Sequence, residues 1–427
     1  MTRSSDSSDS AAPRPSRSVP VGAPVVTMIG GGQLARMTHQ YAIALGQTLR
    51  VLSGSADEPA ALVTPDVVLG SHTDLDALRR AATGAHALTF DHEHVPTEHL
   101  EVLVAEGVNV QPPPQALRYA QDKLAMRHKL REMGAPVPEF AEIASVADLN
   151  AFADAQNWSV VLKTVRGGYD GRGVWIFNDA SDRDAAEAVV TRELDAGAQL
   201  MVEQKVPMRR ELSAMVARSP FGQGASWPVV ETVQRDGQCA VTLAPAPALS
   251  TELAEEAELL ALRIASELGV VGSMAVELFE TVDGALVVNE LAMRPHNSGH
   301  WTMDGARTSQ FEQHLRAVLD YPLGDTAPLA PLTVMANVLG AAQAPEMSMD
   351  ERVHHLFARM PDAKVHLYHK GERPNRKIGH VNIVGGAGSI EDPEYVAAVR
   401  ERAERAAHWL SHGEWTDGWD EHSGDVK

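Results

Sequence analysis

The segment GSMAVELFETVDGALVVNELAMRPHNSGH, residues 272–300, constrains the fold more than any other part of this chain. Apolar and polar residues alternate on both sides of Asp283-Gly284, the pattern of two half-buried antiparallel strands joined by a two-residue type I′ turn. Counting outward from Val282 opposite Ala285 places Glu277 opposite Glu290. Like charges directly across a strand pair repel, so two carboxylates held there call for a cation between them. Oxygen donors without a thiolate suit Mg²⁺, which is usually held by one or two carboxylates plus substrate phosphates. The alternative is a longer turn, in which the two side chains miss each other.

The chain from Val25 onward reads as a buried strand, a glycine turn, a helix with apolar residues at Leu34, Met37, Tyr41 and Leu45, and a second strand at 49–52. This is a βαβ unit. Gly30, Gly32 and Ala35 fit the G-x-G-x-x-G/A fingerprint, whose glycines let backbone approach a phosphate at a helix N-terminus. Three readings of the turn stay open: phosphate or substrate contact, simple packing of helix on sheet, or a dinucleotide site with Asp57 as its acidic residue. Strands at 67–69, 86–90 and 108–110 alternate with helices at 75–82 and 97–106, which predicts a small parallel sheet. The strand ending at Phe90 runs into Asp91-His92-Glu93-His94, beyond a carboxyl end where open α/β sheets bind ligands. That loop reads as a ligand contact, a solvated helix entry or a metal site.

After QPPPQ at 111–115 a single amphipathic helix is expected over 116–133, stopped by Gly134-Ala135-Pro136. A helix at 146–155 and a strand at 159–163 then lead into KTVRGGYDGRGVWIF. Gly167, Gly168, Gly171 and Gly173 bracket Tyr169-Asp170, with Lys163, Arg166 and Arg172 alongside. A plain hairpin needs fewer glycines; this loop suits a mobile lid over phosphates. Such cations stand out because 37 Lys+Arg against 57 Asp+Glu leave a net charge of −20, which argues against a nucleic-acid partner. The single Cys239 excludes a disulfide scaffold and fits a reducing compartment, the cytoplasm. No apolar run of about 18 residues occurs, so no membrane span is expected. Residues 1–20 lack a signal-peptide core, and their Ser, Pro, Asp and Arg predict disorder. Residues 413–427 read as an acidic tail, with Trp415 and Trp419 the means by which it could dock.

Between residues 25 and 412 the motifs IGGGQLARM, FDHEHVP, QDK, KTVRGGYDGRG, EQKVPMRRELS, ELFETVDGALVVNELAMRPHNSGHWT and HKGERPNRKIGH follow one another. On these the chain resembles the 5-(carboxyamino)imidazole ribonucleotide synthetase family of ATP-grasp enzymes, of actinobacterial type. GGYDGRG and NELAMRPHNSGH are far more specific than the glycine fingerprint. The resemblance implies an α/β and α+β architecture: an N-terminal parallel α/β, Rossmann-like domain over 21–115, an ATP-grasp domain over 116–320 with a mobile lid at about 136–205, and a small β-rich C-terminal domain over 321–412. It implies carboxylation of 5-aminoimidazole ribonucleotide with bicarbonate and ATP, through carboxyphosphate, in purine synthesis by a homodimer, with Mg²⁺ or Mn²⁺.

Matched residue by residue, the resemblance places Lys123 and Lys163 on ATP phosphates, the lid at Gly168, Tyr169, Asp170, Gly171, Arg172 and Gly173, the adenine against Glu203, Gln204, Lys205 and Val206, and the ribose on Glu211. Glu277 and Glu290 become the metal ligands, with Asn289 beside them. Tyr169, Asp170, Arg294, His296 and Asn297 become the catalytic set. Gly31, Gly32, Gln33, Leu34, Glu93, Arg294, Lys370, Arg376 and Lys377 become the ribonucleotide contacts, the last three as one basic cluster folding back toward Arg294. Two departures stand out. Gln234 replaces a histidine of many relatives after WPVVET, and His94 departs from the usual acidic-x-Glu-Asn form. Other ATP-grasp ligases, such as a formate-dependent glycinamide ribonucleotide transformylase or a biotin carboxylase, share the fold. A nucleotide sensor without turnover is the alternative of a different class, and it would be expected to have lost Lys163, Glu277, Asn289 or Glu290.

Overall fold

The computed structural model describes residues 23–168 and 173–419. The expected disordered segment 1–20, the lid residues Tyr169, Asp170, Gly171 and Arg172, and the end of the acidic tail lie outside the described residues. Four parallel strands open the chain, Val25–Ile29, Thr48–Ser53, Asp66–Leu69 and Ala87–Phe90, arranged third, second, first, fourth. Val25–Ile29 lies inside that sheet and is buried throughout, which accounts for its unbroken run VVTMI. The strand expected at 108–110 is reduced to one parallel bridge of Val110 to Leu88. Pairing stops because Pro112, Pro113 and Pro114 carry no N–H to continue the ladder.

The helix expected over 116–133 is two helices, Pro114–Gln121 and Lys123–Glu132, broken at Asp122, whose backbone is extended. Asp122 accepts from the Ala125 amide at 2.8 Å through one oxygen and from Arg166 Nη2 at 2.8 Å through the other. An aspartate competes with the helix for amides and starts a new one. The restart puts Lys123 in the first turn, where its amide donates to the Val165 carbonyl at the base of the glycine loop.

An antiparallel sheet of Phe140–Ile143, Leu200–Gln204, Val160–Thr164 and Val174–Phe177, in that order, carries the glycine loop between its last two strands. Helices Val146–Ala155 and Arg183–Asp195 share its core with Trp158, Leu162 and Val202. The largest sheet is antiparallel and nine-stranded. It runs from Leu286–Ala292 through Gly272–Thr281, Met208–Arg218, Val230–Arg235 and Gln238–Ala244 to Thr333–Leu339, Lys377–Val384 and Lys364–Leu367, with the ninth strand, Gly224–Ser226, paired to Met208–Arg218 off that path. Strands on both sides of residue 321 thus belong to one continuous sheet. None of the described helices is long and apolar enough to cross a membrane.

Two expectations are corrected here. The hairpin does not turn in two residues: Thr281, not Val282, pairs with Ala285, and Gly284 takes the left-handed conformation at φ +84° in a three-residue loop. Pairing continues as Leu278 with Val288, then steps to Glu277 with Glu290, leaving Asn289 bulged. The longer turn and the bulge cancel, so the carboxylates face each other after all. The tail, too, is docked as far as it is described. Beyond the helix Pro393–His412, Trp415 stacks on Trp409 with centroids 4.5 Å apart, Arg359 lies 4.2 Å over Trp415, and Asp417 pairs with Arg359 at 2.5 Å and Arg405 at 3.1 Å.

Candidate active site

The glycine turn at the head of the helix Gln33–Ala44 is filled by the protein's own carboxylates. Asp91 accepts from the amides of Gly32 (3.0 Å) and Ala35 (2.8 Å), and Glu58 accepts from Gly31 (3.1 Å) and Ser53 Oγ (2.5 Å). A Cβ on Gly31 or Gly32 would collide with those oxygens. The dinucleotide reading is therefore overturned: amides that a pyrophosphate would need are taken, and Asp57 is exposed beside Ser55. Burial raises the Asp91 pKa, against the Ala35 amide and the charges of Arg294 and Lys370. No described residue bonds to the amides of Gln33 and Leu34 in this first turn. Lys370 donates to Gln33 Oε1, which brings a cation to the same turn.

The centre of the site is a ring of charges between the two antiparallel sheets. Lys163 Nζ lies 2.7 Å from Glu203 Oε2 and 3.3 Å from Asn289 Oδ1, and Lys123 Nζ lies 3.3 Å from Glu290 Oε1. Arg127, fully buried, donates to Glu203 Oε1 at 2.6 Å and to the Asn289 carbonyl at 2.7 Å. Burial opposes ionisation of Glu203, but Lys163 and Arg127 overcome it and hold its pKa at about 2. Glu277 is the opposite case: burial, then Glu290 and Glu211, push it up to about 8 against the pull of Lys377 and Lys163. Asn289 Nδ2 reaches Glu277 Oε2 at 3.4 Å.

The loop leaving the hairpin carries three of the expected catalytic set, Arg294, His296 and Asn297, while Tyr169 and Asp170 lie outside the described residues. Arg294 pairs with Glu93 at 2.8 Å, joining the hairpin to the end of the parallel sheet. His296 Nδ1 accepts from the Ser298 amide and lies 2.9 Å from Ser298 Oγ, which leaves Nε2 carrying the proton, 3.5 Å from Glu277 Oε1. Burial, then Arg294 and Lys377, lower the His296 pKa to about 3, so the imidazole is neutral. The Asn297 side-chain amide is buried and lies against the Cys239 thiol.

The remaining candidates are spread around this centre. The Glu203 side chain is committed to Lys163 and Arg127, and Gln204 and Lys205 donate their amides to Glu139 and Ser159. Lys205 Nζ turns away to Asn178 Oδ1 at 2.6 Å, and Val206 follows on the link to the strand Met208–Arg218. Gln234 hydrogen-bonds Glu211, whose pKa burial raises, so the amide in place of the relatives' histidine still meets the residue expected to hold ribose. Gly173, at φ +69°, closes the glycine loop by accepting from the Thr164 amide, and Gly168 stands at its other end. The three cations expected as one cluster are divided. Lys370 reaches Gln33, the charge of Lys377 acts on Glu277 and His296, and Arg376 donates to the Gly371 carbonyl of its own loop. Sequence reading singled out the loop of Asp91 but not its place in the glycine turn, and it missed Glu58, Arg127 and Gln310, which bonds both backbone groups of His296. Arg127 had one signal, its place four residues after Lys123 on the same helical face; Gln310 had none.

Family comparison agrees with this geometry along the chain. Residues 24–121 match the ribonucleotide synthetase preATP-grasp domain, 128–311 the ATP-grasp domain, and 333–389 the phosphoribosylaminoimidazole carboxylase C-terminal domain. The N5-carboxyaminoimidazole ribonucleotide synthase of Mycobacterium leprae is 67% identical over 94% of this chain and 92% of its own length. That of Corynebacterium ammoniagenes is 52% identical over 98% and 99%. The crystal structure of the Aspergillus clavatus N5-carboxyaminoimidazole synthase, in complex with ADP and 5-aminoimidazole ribonucleotide, superposes with a TM-score of 0.79 at 30% identity, covering 90% of this chain and 99% of that one. With the facing glutamates, Lys163 and the loop 294–297 all inside these matches, the chain belongs to the N5-carboxyaminoimidazole ribonucleotide synthase family of ATP-grasp enzymes.

Proposed function

We propose that this ATP-dependent ligase carboxylates 5-aminoimidazole ribonucleotide with bicarbonate, through carboxyphosphate, and that Glu277 and Glu290 hold a divalent cation, Mg²⁺ or Mn²⁺, for it. The observation that carries the reading is the convergence of Lys123, Lys163, Glu277 and Glu290 with the loop Arg294–Asn297. The γ-phosphoryl group moves from ATP to a bicarbonate oxygen, giving ADP and carboxyphosphate; the amine of the ribonucleotide then takes the carboxyl carbon, phosphate leaves, and the amine loses a proton. Two anions must meet in the first step, so the protein's task is positioning and neutralisation of charge.

Lys163 and Lys123 face that task from the small sheet and the restarted helix. Both are held by carboxylates here, at Glu203 and Glu290, and a nucleotide phosphate would compete for them. The donor set fits a cation: two facing oxygen ligands, one with its pKa pushed up to about 8 by burial and then by Glu290 and Glu211. The described residues form no group of three or more metal-ligating side chains, as suits an ion that completes its shell with phosphate oxygens and water. When bound, the cation would neutralise charge on the phosphates. Neutral His296, with its proton on Nε2, and the buried Asn297 amide, held otherwise only by the weak acceptor of the Cys239 thiol, offer donors to bicarbonate, and Arg294 a fixed charge. The Gln33 and Leu34 amides with Lys370 offer a cradle for the ribonucleotide's phosphate. Tyr169 and Asp170 belong to the loop that would cover an intermediate quick to hydrolyse in water.

The test is phosphate release from ATP in the presence of the aminoimidazole ribonucleotide, comparing bicarbonate with formate, and product identified by mass. Turnover with bicarbonate is expected. Turnover only with formate, or ATP binding without turnover, overturns the reading.

A further inference from the structure

Residues 294–296 are irregular backbone that runs into the 3-10 turn Asn297–Gly299, where the Gly299 amide donates to the His296 carbonyl at 3.0 Å. Beyond that one turn bond, the His296 backbone is held by a side chain from another element. Gln310, at the start of the helix Gln310–Val318, is fully buried. Its Oε1 accepts from the His296 amide at 2.7 Å, and its Nε2 donates to the His296 carbonyl at 2.8 Å and lies 3.0 Å from His300 Nδ1. The side-chain amide thus pairs with both backbone groups of His296 as a neighbouring strand would. Its own amide donates to Thr302 Oγ1 at 2.9 Å, and that hydroxyl donates to the Gly299 carbonyl at 2.6 Å, so the head of its helix is tied to the end of the turn Asn297–Gly299. Gly299 is required beside it, since a Cβ there would meet Gln310 Oε1 at 2.5 Å.

The imidazole is held independently of that pair. Ser213 Oγ lies 2.8 Å from Ser298 Oγ, which lies 2.9 Å from His296 Nδ1. Backbone and ring are therefore clamped from two directions, and what remains directed at the site is Nε2. Buried amides this fully satisfied hold one geometry, because any other leaves several polar groups unpaired.

We infer that Gln310 is a positioning residue for the carboxylation step, fixing through the His296 backbone where the His296 ring and the Asn297 amide stand relative to Glu277. The inference rests on the function proposed above. It predicts damage to turnover rather than to nucleotide binding, because Gln310 touches none of the residues expected to hold ATP.

The experiment uses the full chain with two variants. Gln310→Leu keeps the bulk and removes the three side-chain bonds; kcat should fall by at least about thirtyfold while KM for ATP stays within threefold. Gln310→Glu keeps an acceptor for the His296 amide but can donate to the His296 carbonyl only when protonated. Its kcat relative to the parent should therefore rise as pH is lowered, whereas that of Gln310→Leu should stay flat. A merely structural role predicts loss in proportion to the unfolded fraction and no such pH dependence. Folded Gln310→Leu with kcat within threefold of the parent overturns the inference, as does a flat ratio for Gln310→Glu; if Gln310→Leu does not fold, the Gln310→Glu ratio decides alone. Absence of bicarbonate-dependent turnover in the parent would instead refute the proposed function, so the two failures are distinguishable.

Discussion

Glu277 faces Glu290 across the hairpin because Asn289 is bulged out of the pairing between them. The bulge does more than set register. It frees the Asn289 side chain to reach Lys163 and Glu277 and presents the Asn289 carbonyl to Arg127. One irregular residue thus ties the facing carboxylates to Lys163 and to the buried Arg127.

Glu290→Gln keeps the shape of this arrangement and removes one of its two charges. ATP turnover supported by Mg²⁺ should fall at least about a hundredfold, or about 2.7 kcal/mol of barrier, with little change in the thermal unfolding midpoint. Kinetics at saturating ATP and a melting curve check it. Activity within threefold of the parent would mean that the facing carboxylates hold no catalytic cation.

Arg127 is the counter-charge on which the Glu203 and Asn289 contacts depend. Removing one partner of a buried pair strands the other, at about 3–5 kcal/mol. Arg127→Met should therefore lower stability by roughly that amount, and Arg127→Lys by less, as read from denaturant unfolding. A Met variant as stable as the parent would show that Lys163 alone suffices for Glu203.

The same pair has a pH signature. The Glu203 pKa is about 2 in the folded chain against an ordinary 4.5. A depressed carboxyl gives stability that is complete above the ordinary value and is lost as pH falls toward the folded one. The stability gap between the parent and Glu203→Gln should accordingly narrow between pH 4.5 and about 2. A gap that stays constant through that window would assign the effect of the substitution to packing.

Trp415 stacks on Trp409 under Arg359 and is buried although it lies beyond the last helix. Trp415→Ala should cost about 3–5 kcal/mol of stability, as for other buried aromatics, and leave kcat and both KM values unchanged. An unchanged melting temperature would return residues 413–419 to the loose tail that their composition suggests.

How far the sequence could be read follows from which interactions are local. The facing glutamates were legible because strand alternation has a period of two and survives a turn lengthened by one residue when a bulge restores it. The break at Asp122 left a local trace, an aspartate before an apolar run. The carboxylates that fill the glycine turn were not legible, since Asp91 and Glu58 arrive from other segments and a fingerprint of glycines is the same whether it admits a phosphate or a side chain. Gln310 was invisible for that reason too, and the spacing of Arg127 from Lys123 gave its helical face but not its partners: each acts on backbone more than ten residues away, and nothing in a helix's own sequence says which carbonyl its buried polar residue will meet.

The last prediction concerns the basic loop of the C-terminal part. Lys370 reaches the first turn of the N-terminal helix through Gln33, and its charge acts on Asp91, whereas Arg376 donates to the Gly371 carbonyl of its own loop. If the Gln33 and Leu34 amides cradle the ribonucleotide's phosphate, Lys370 is the cation best placed to neutralise it. Lys370→Ala should raise KM for 5-aminoimidazole ribonucleotide by more than about tenfold, equivalent to about 1.4 kcal/mol of binding, and leave KM for ATP nearly unchanged. Arg376→Ala should have a smaller effect on the same constant, because its guanidinium must leave the Gly371 carbonyl before it can reach a phosphate. Steady-state kinetics with each substrate varied in turn decides the order. A larger effect from Arg376 would mean that the loop refolds over the bound ribonucleotide, and equal effects on both substrates' constants would remove the phosphate from this corner of the site.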